Sequence, residues 1–184
     1  AATEMPLSRF AESIRTIKLA VDLNVTSTSN KVVGITSSLP NEGKSTIAAA
    51  LALLMAHAGA RVIVVDCDLR NPSLSQSLAP TANAGLIDVI SGRKSLDEVI
   101  WRDPKTNLAV LPTVKKRPLF HSSEILSAAA TKQLFDTLRA TYDYVVVDLP
   151  PLAPIVDVRA SAPLIDCFIL AVEWACTKTD VVQH

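Results

Sequence analysis

The sequence predicts an α/β fold in which helices cover both faces of a mostly parallel central sheet. Short, continuous apolar runs rich in valine and isoleucine alternate with helical patterns along the chain. Such runs are typical of strands buried on both faces of a parallel sheet, and their alternation with helices indicates βαβ units. The predicted strands are Val32–Ile35, Val62–Val65, Leu108–Leu111, Val145–Val147 and Phe168–Val172.

Helical patterns lie between these strands. The segment Lys44–His57 is apolar on nearly every face, which predicts a buried helix, and Gly59 is placed to end it. The other predicted helices are Ser95–Ile100, Ser123–Ala140 and about Val156–Leu164.

The first part of the chain differs from the rest. An amphipathic helix pattern covers Leu7–Leu23, and the polar segment Thr26–Asn30 leads into the first strand. We therefore expect residues 1–30 to form a helix and a linker, and residues 31–184 to form the main domain. The chain starts with Ala1 rather than methionine and stops at His184 within a helical pattern, so we expect it to be a fragment of a longer protein.

Composition excludes several classes of protein. The 184 residues suit one domain with a full core, and 49% hydrophobic with 20% charged residues is a globular composition. A net charge of zero gives no sign of nucleic-acid binding. The longest apolar run, Ile47–Ala56, is far shorter than the roughly 20 residues that cross a bilayer.

The three cysteines have no metal-binding spacing. Cys67 and Cys167 lie in apolar stretches, so we expect buried thiols of a reducing cytosol.

The segment Ser38–Thr46 is nearly a phosphate-binding loop. The usual pattern is G-x-x-x-x-G-K-[ST]; Gly43, Lys44 and Ser45 match its end, and Ser38 replaces its first glycine. Because a predicted strand precedes the loop and a helix follows it, backbone N–H groups and the helix dipole would form an anion site. The predicted nucleotide-binding residues are Ser38, Leu39, Pro40, Asn41, Glu42, Gly43, Lys44, Ser45 and Thr46.

Each of these residue types suits a role at a nucleotide. Gly43 would let the backbone approach a phosphate, and Lys44 would reach the β- and γ-phosphates. The Ser45 hydroxyl would bind Mg²⁺, and Thr46 would lie near the α-phosphate. The alternative is an ordinary capped helix that matches the pattern by chance.

Three aspartates follow predicted strands. Asp66 and Asp68 end one buried strand, and Asp148 ends another. Ligands of open α/β sheets bind at the carboxyl ends of strands, where buried carboxylates need solvent, a partner or a metal. Each aspartate alone could equally cap a helix or a turn. Together with the loop they favour a magnesium–nucleotide site, with Asp148 holding Mg²⁺ through water.

These motifs resemble those of the bacterial tyrosine kinases, over nearly the whole chain. Ser38–Thr46 resembles their Walker A motif, "VIVVDCDLRNP" their Walker A′ motif, and "VVVDLPP" their Walker B motif. "GLIDVISG" resembles the segment that follows Walker A′ in the family. "EWACTKTDVVQH" and "LPPLAPIVDVRA" are similar to the ExoP-type exopolysaccharide co-polymerases.

The resemblance implies a P-loop kinase domain at the cytoplasmic face of the inner membrane, in a membrane-anchored protein that controls polysaccharide polymerisation and export. Such kinases use Mg²⁺ and ATP to phosphorylate tyrosines in the C-terminal tail of a neighbouring subunit of a ring-like homo-oligomer. The resemblance assigns phosphate binding to Lys44 and metal binding to Ser45 and Asp148. It assigns the catalytic base to Asp66 and a metal-side carboxylate to Asp68, although spacing leaves these two roles, and Asp66 as a metal ligand, open.

The segment "ESIRTIK" resembles the family's E-x-x-R-x-x-R oligomer motif. Helical spacing puts Glu12 and Arg15 on roughly one face, and the resemblance implies a subunit contact through Glu12, Arg15 and Lys18. Lys18 stands where arginine is usual, which loses the bidentate fork of that side chain. The alternative is a solvated helix face.

Two other functions remain open. A MinD- or ParA-like ATPase switch shares the fold, but usually carries a second lysine early in the loop, where this chain has Leu39 and Pro40. A non-catalytic ATP-binding assembly module is the other alternative. ATP-dependent dimerisation without phosphotyrosine would favour the ATPase switch.

The chain has two tyrosines, Tyr142 and Tyr144, which lead into a predicted strand. They lie at its amino-terminal end, away from the predicted site. We expect Tyr144 to be partly packed against the core and Tyr142 to lie at the strand entrance, with neither able to accept phosphate in its own subunit. The family's acceptor tyrosines lie in a tail beyond the domain, so we expect this chain to lack its acceptor.

Overall fold

The computed structural model describes residues 9–24, 31–115, 122–153 and 157–182. Predictions made for Leu7, Thr26–Asn30, Val156 and His184 lie outside the described residues.

A six-stranded sheet forms the centre of the molecule, in the order β3-β4-β2-β5-β1-β6. Its neighbouring strands are parallel, except that β3 pairs antiparallel with β4. The strands are β1 (Lys31–Ser37), β2 (Val62–Asp66), β3 (Trp101–Arg102), β4 (Ala109–Leu111), β5 (Tyr144–Asp148) and β6 (Cys167–Ala171). The predicted α/β fold, with its mostly parallel sheet, is confirmed.

Helices flank this sheet. They are α1 (Arg9–Asn24), α2 (Lys44–His57), α3 (Ser73–Leu78), α4 (Leu86–Ile90), α5 (Leu96–Val99), α6 (Ser122–Ser127), α7 (Ala129–Thr141), α8 (Asp157–Ser161) and α9 (Thr179–Val182), with a 3-10 helix at Ala162–Leu164. The predicted helix Lys44–His57 is confirmed in its position, and it is largely enclosed, although Thr46 and His57 are exposed.

The prediction of one continuous helix over Ser123–Ala140 was wrong. Ala128 has an extended backbone, with φ −64° and ψ 147°, and separates α6 from α7. The Thr131 hydroxyl donates a hydrogen bond to the Ile125 carbonyl, and Thr131 N–H bonds the Ala128 carbonyl. A threonine hydroxyl that donates to a backbone carbonyl in this way competes with the backbone hydrogen bonds of a continuous helix.

Alternate residues of the strands pack into two apolar cores, one on each face of the sheet. Ile63 and Val65 of β2 face one core, which also contains Phe135. Val62 and Val64 face the other core, which contains residues of α1 and α2. This alternation of fully buried residues explains why the strands appear in the sequence as continuous apolar runs.

Helix α1 packs on α2, and its buried residues Ile14 and Val21 belong to the same apolar core as α2. Near its end, Asp22 accepts hydrogen bonds from Lys31 Nζ at 2.9 Å and from the Tyr144 hydroxyl at 2.8 Å. These bonds fix the helix to β1 and β5.

The edge position of β6 corrects one prediction about the cysteines. Cys67 is buried, as expected, but Cys167 is only partly buried because it lies on this edge strand. Phe168 and Leu170 of the same strand are exposed. None of the helices in the described part of the chain has the length and apolar character needed to span a bilayer.

Candidate active site

The predicted phosphate loop connects β1 to α2. Gly43 has φ 86°, in the left-handed region, although a Cβ built there would meet no atom within 4 Å. The backbone conformation, rather than a lack of space, therefore favours glycine at this position. Ser38 is not among the described residues with positive φ, so serine replaces the usual glycine here without the strain of a left-handed backbone.

The amino terminus of α2 faces the loop without a side-chain cap. The N-cap residue is Gly43, which has no side chain that could accept a hydrogen bond from the first-turn N–H groups. The first-turn N–H groups of an α-helix have no partner within the helix and carry its positive dipole end. The start of this 14-residue helix can therefore bind an anion.

The carboxyl ends of β2 and β5 bring the predicted acidic residues to this loop. Asp66 and Asp148 are direct neighbours in the sheet register. Lys44 Nζ lies 2.8 Å from Asp68 Oδ2 and 3.4 Å from Asp148 Oδ1. The Ser45 hydroxyl donates a 2.6 Å hydrogen bond to Asp148 Oδ2. The structure thus gathers Lys44, Ser45, Asp68 and Asp148 in direct contact.

The carboxylate of Asp66 has different neighbours. It accepts hydrogen bonds from Ser75 N at 2.8 Å, from the Ser75 hydroxyl at 2.6 Å and from Asp68 N at 3.1 Å. Thr113 N in turn donates to the Ser75 hydroxyl at 2.8 Å. Asp66 therefore binds the start of α3. Ser75 and Thr113 were not predicted as site residues, because no local sequence signal marks these contacts.

Burial shifts the ionisation of the acidic residues. It raises the pKa of Asp66 to about 7, with repulsion from Asp148 adding to the effect. Burial also raises the pKa of Asp148 to about 6, although Lys44 and Ser45 oppose the rise. For Lys44, burial disfavours the charge, but attraction to Asp148 and Asp68 outweighs it and raises the pKa. One lysine thus faces three buried carboxylates, an excess of negative charge that suits a bound cation.

A cavity of about 450 Å³ opens between the phosphate loop and the loop after β2. Asp68 and the exposed Arg70 line it beside the phosphate loop, whereas five predicted site residues are not among its lining: Ser38, Leu39, Glu42, Asp66 and Asp148. The lining residues are Pro40, Asn41, Gly43, Lys44, Ser45, Thr46, Asp68, Arg70, Asn71, Ser73 and Pro151. Asn71, Ser73 and Pro151 were not predicted from the sequence, because only the folded chain brings them to the cavity.

The oxygen atoms of Ser45 and Asp148 are candidate ligands for Mg²⁺. Within the described ranges, no group of three or more His, Cys, Asp or Glu residues is arranged to hold a metal ion. Mg²⁺ bound with a nucleotide needs fewer protein ligands, because it takes one or two carboxylates and fills its octahedron with phosphate oxygens and water. The contact between Ser45 and Asp148 fits that requirement.

The predicted oligomer residues of α1 divide into two groups. Arg15 bonds Glu12 on an exposed face of the helix. Lys18 instead forms an ion pair with Asp22 of the same helix. Asp22 also accepts hydrogen bonds from Lys31 and Tyr144. Glu12 and Arg15 remain accessible, whereas the charge of Lys18 is engaged within its own subunit.

Known proteins are similar to this chain in sequence and in fold. Residues 30–172 match the AAA domain family. The succinoglycan biosynthesis transport protein ExoP of Rhizobium meliloti is 41% identical over 98% of this chain, which spans 23% of ExoP. The chain thus covers only a minor part of that relative's length.

Two further proteins match over most of the chain. The tyrosine-protein kinase YwqD of Bacillus subtilis is 31% identical over 95% of this chain and 73% of its own length. The solved kinase domain of the Escherichia coli tyrosine kinase ETK superposes with a TM-score of 0.86 at 25% identity, covering 97% of this chain and 69% of that one. With its phosphate loop and acidic strand ends in place, the chain belongs to the bacterial tyrosine kinases, a family of P-loop proteins with an AAA domain.

Proposed function

We propose that this chain is the catalytic domain of a protein-tyrosine kinase that uses Mg²⁺ and ATP to phosphorylate tyrosines of a neighbouring subunit. The observation that carries the proposal is the position of Lys44, 2.8 Å from Asp68 and 3.4 Å from Asp148, next to Ser45 at the start of α2. The names of the tyrosine kinases YwqD and ETK support this reaction.

The residues of the site fit Mg²⁺ and a nucleoside triphosphate. The uncapped start of α2 and the phosphate loop offer N–H donors, and the cavity of about 450 Å³ gives room for the phosphates. Ser38 lies outside the cavity lining, and its buried hydroxyl has no hydrogen-bond partner among the described residues, so an enclosed water could satisfy it. Ser45 and Asp148 would hold Mg²⁺, which supplies positive charge to the phosphate oxygens when bound.

Each side chain has a distinct part in the transfer. Lys44 would exchange its carboxylate partners for phosphate oxygens and stabilise their charge as the bond from the γ-phosphorus to ADP breaks. The tyrosine oxygen forms the new bond to that phosphorus, and its proton passes to a carboxylate. Asp68 lines the cavity and can receive the proton, whereas Asp66 is held by Ser75. We therefore favour Asp68 as the base and Asp66 as the residue that positions the loop.

The relatives support a proposal for the wider role of the domain. ExoP is named as a succinoglycan biosynthesis transport protein. We propose that this domain regulates exopolysaccharide polymerisation and export at the cytoplasmic face of the inner membrane. Its partners would be neighbouring copies in a ring, their tyrosine-rich C-terminal tails and the export machinery.

An anti-phosphotyrosine blot tests the activity. The chain is incubated with Mg·ATP and a tyrosine-rich peptide, beside Lys44→Met and the control Lys132→Met, which changes an exposed lysine of α7. We expect phosphopeptide with the wild type and with Lys132→Met, and little with Lys44→Met. No phosphotyrosine from a wild type that dimerises with ATP would contradict kinase activity and favour an ATPase switch.

A further inference from the structure

Glu42 belongs to the phosphate loop, but its carboxylate bonds the backbone instead of facing the phosphate cavity. It is absent from the residues that line that cavity, although both Asn41 and Gly43 line it. Glu42 Oε2 accepts a hydrogen bond of 2.6 Å from the N–H group of Leu39. The side chain therefore closes the loop on itself and helps to fix its curvature.

The second carboxylate oxygen of Glu42 reaches a distant part of the chain. Glu42 Oε1 accepts hydrogen bonds from Glu173 N at 3.1 Å and from the Thr177 hydroxyl, which lie 131 and 135 positions away in sequence. Glu173 and Thr177 belong to the segment that follows β6. One carboxylate thus joins the phosphate loop to the segment Glu173–Thr177.

The carboxylate is held in its charged form. Burial opposes the charge, but hydrogen bonds from Thr177, Leu39 and Glu173 outweigh burial and lower the pKa of Glu42. Hydrogen bonds to a charged group are stronger than those between neutral groups. Three hydrogen bonds to one charged carboxylate therefore link the phosphate loop to Glu173 and Thr177.

We propose that Glu42 is a positioning residue that couples the shape of the phosphate loop to the segment Glu173–Thr177. This inference rests on the proposed nucleotide-binding function. Nucleotide binding would order the loop around the phosphates, and the Glu42 carboxylate would transmit that change to the segment. Conversely, whatever holds or displaces this segment would change the affinity of the loop for nucleotide, because such coupling is reciprocal.

The segment contains its own reporter. Trp174 is 92% exposed and lies between Glu173, whose N–H bonds Glu42, and Ala175, which has φ 61°. Trp101 is the other tryptophan of the chain, so Trp101→Phe leaves Trp174 as the single indole. The fluorescence of Trp174 then reports on the segment without a label.

The experiment compares three proteins in the Trp101→Phe background: the parent, Glu42→Gln and Thr177→Val. Mg·ADP binding is measured by calorimetry, the Trp174 emission is followed during the same titration, and circular dichroism checks the fold. We expect the parent's emission to change in step with binding. Glu42→Gln should abolish that change and weaken Mg·ADP binding by about tenfold.

Thr177→Val separates coupling from loop structure. It removes one donor to Glu42 at the distant end and leaves the bond from Leu39 intact. We expect a reduced Trp174 response with Mg·ADP affinity within about twofold of the parent. A Trp174 response that both variants keep would overturn the inference, since Trp174 would then sense the nucleotide directly.

Two failures are distinguishable. Absence of Mg·ADP binding to the parent would overturn the proposed function, and this inference with it. Normal binding with an unresponsive Trp174 would overturn the inference alone.

Discussion

Lys44 Nζ lies 2.8 Å from Asp68 Oδ2, so the lysine of the phosphate loop is neutralised by a carboxylate of the loop after β2. Asp148, at the end of β5, is its second partner at 3.4 Å. A phosphate oxygen can replace these partners without leaving the lysine unpaired, because it is also negatively charged. The carboxylates that are released can then face a metal ion or a substrate proton, so they are not left buried without a partner. This exchange is the basis of the predictions for the site.

Lys44→Met should reduce single-turnover phosphoryl transfer by about a hundredfold. Removing one charged donor aimed at the developing charge of the transition state costs on the order of 3 kcal/mol. Rapid-quench measurement of transfer from radiolabelled ATP to a tyrosine-rich peptide gives the rate. An unchanged single-turnover rate would exclude this role for Lys44.

Asp148→Asn and Asp66→Asn should remain folded and lower catalysis in different ways. Asp148 contacts Ser45 and Lys44, so its change should shift the Mg²⁺ concentration needed for half-maximal rate. Asp66 bonds Ser75, so its change should lower the maximal rate with less effect on Mg²⁺. Steady-state assays over a range of Mg²⁺ concentrations compare the two. Wild-type kinetics in both variants would show that these carboxylates are not part of the active site.

Asp148→Asn should also stabilise the nucleotide-free protein at alkaline pH. The pKa of Asp148 rises from 3.8 to about 6 on folding. A carboxyl group whose pKa is raised on folding destabilises the folded protein. This destabilisation is complete above about pH 6 and disappears below about pH 4. We expect a gain of about 1 to 3 kcal/mol in the free energy of unfolding at pH 8, by urea denaturation. A loss of stability at pH 8 would contradict this charge balance.

Asp22→Asn should destabilise the fold at neutral pH. Burial disfavours the charge of Asp22, but hydrogen bonds from Lys18, Lys31 and Tyr144 outweigh it and lower its pKa from 3.8 to about 2. A lowered folded pKa gives stability that is present above about pH 4 and lost as the pH falls toward 2. We expect a loss of about 1 to 2 kcal/mol at pH 7 that shrinks in acid.

Urea denaturation at a series of pH values measures this difference for Asp22→Asn. Asp97→Asn, which changes an exposed carboxylate of α5, serves as the control and should change stability little. A destabilisation by Asp22→Asn that is the same at pH 7 and pH 3 would show that the charge of Asp22 is not what fixes α1.

The double change Glu12→Ala and Arg15→Ala should give a folded, nucleotide-binding monomer. Both side chains lie on an exposed face of α1, where the resemblance to the family's oligomer motif predicts a subunit contact. Lys94→Ala removes a comparable exposed ion pair elsewhere, leaves the Glu98 cap of α5 in place, and should leave the oligomer intact. Size-exclusion chromatography with light scattering distinguishes the states. A monomeric wild type at high concentration would refute the contact.

Much of the fold and of the site could be predicted because local patterns determine them. Continuous apolar runs indicated strands buried on both faces, and the loop around Lys44 carried its own motif. The convergence of Asp68 and Asp148 followed from the rule that parallel strands meet at their carboxyl ends.

The remaining features depend on contacts that are distant in sequence. Helix α3 has six residues, too few for a periodic pattern, and depends on the bonds from Ser75 to Asp66. Glu42 meets Thr177 across 135 positions. Cys167 is only partly buried because β6 is an edge strand, which a single apolar run does not reveal.

The tyrosines of the domain test where the phosphoryl group goes. Tyr144 is partly buried as predicted, and burial together with the hydrogen bond to Asp22 raises its pKa to about 12. Tyr142 is more enclosed than expected at 4% exposed, and its hydroxyl lies 3.3 Å from Arg102. The four residue-to-residue steps from Tyr144 to Asp148 span about 13 Å of strand, too far for in-line transfer.

The most direct measurement is peptide mapping by mass spectrometry after incubation of the domain with Mg·ATP and an added tyrosine-rich peptide. We predict phosphotyrosine on the peptide with the wild type, almost none with Lys44→Met, and no stoichiometric phosphate on Tyr142 or Tyr144 in either protein. An unphosphorylated peptide beside a wild type that binds Mg·ATP, or stoichiometric phosphate on Tyr142 or Tyr144, would contradict transfer from this site to a tyrosine outside the domain.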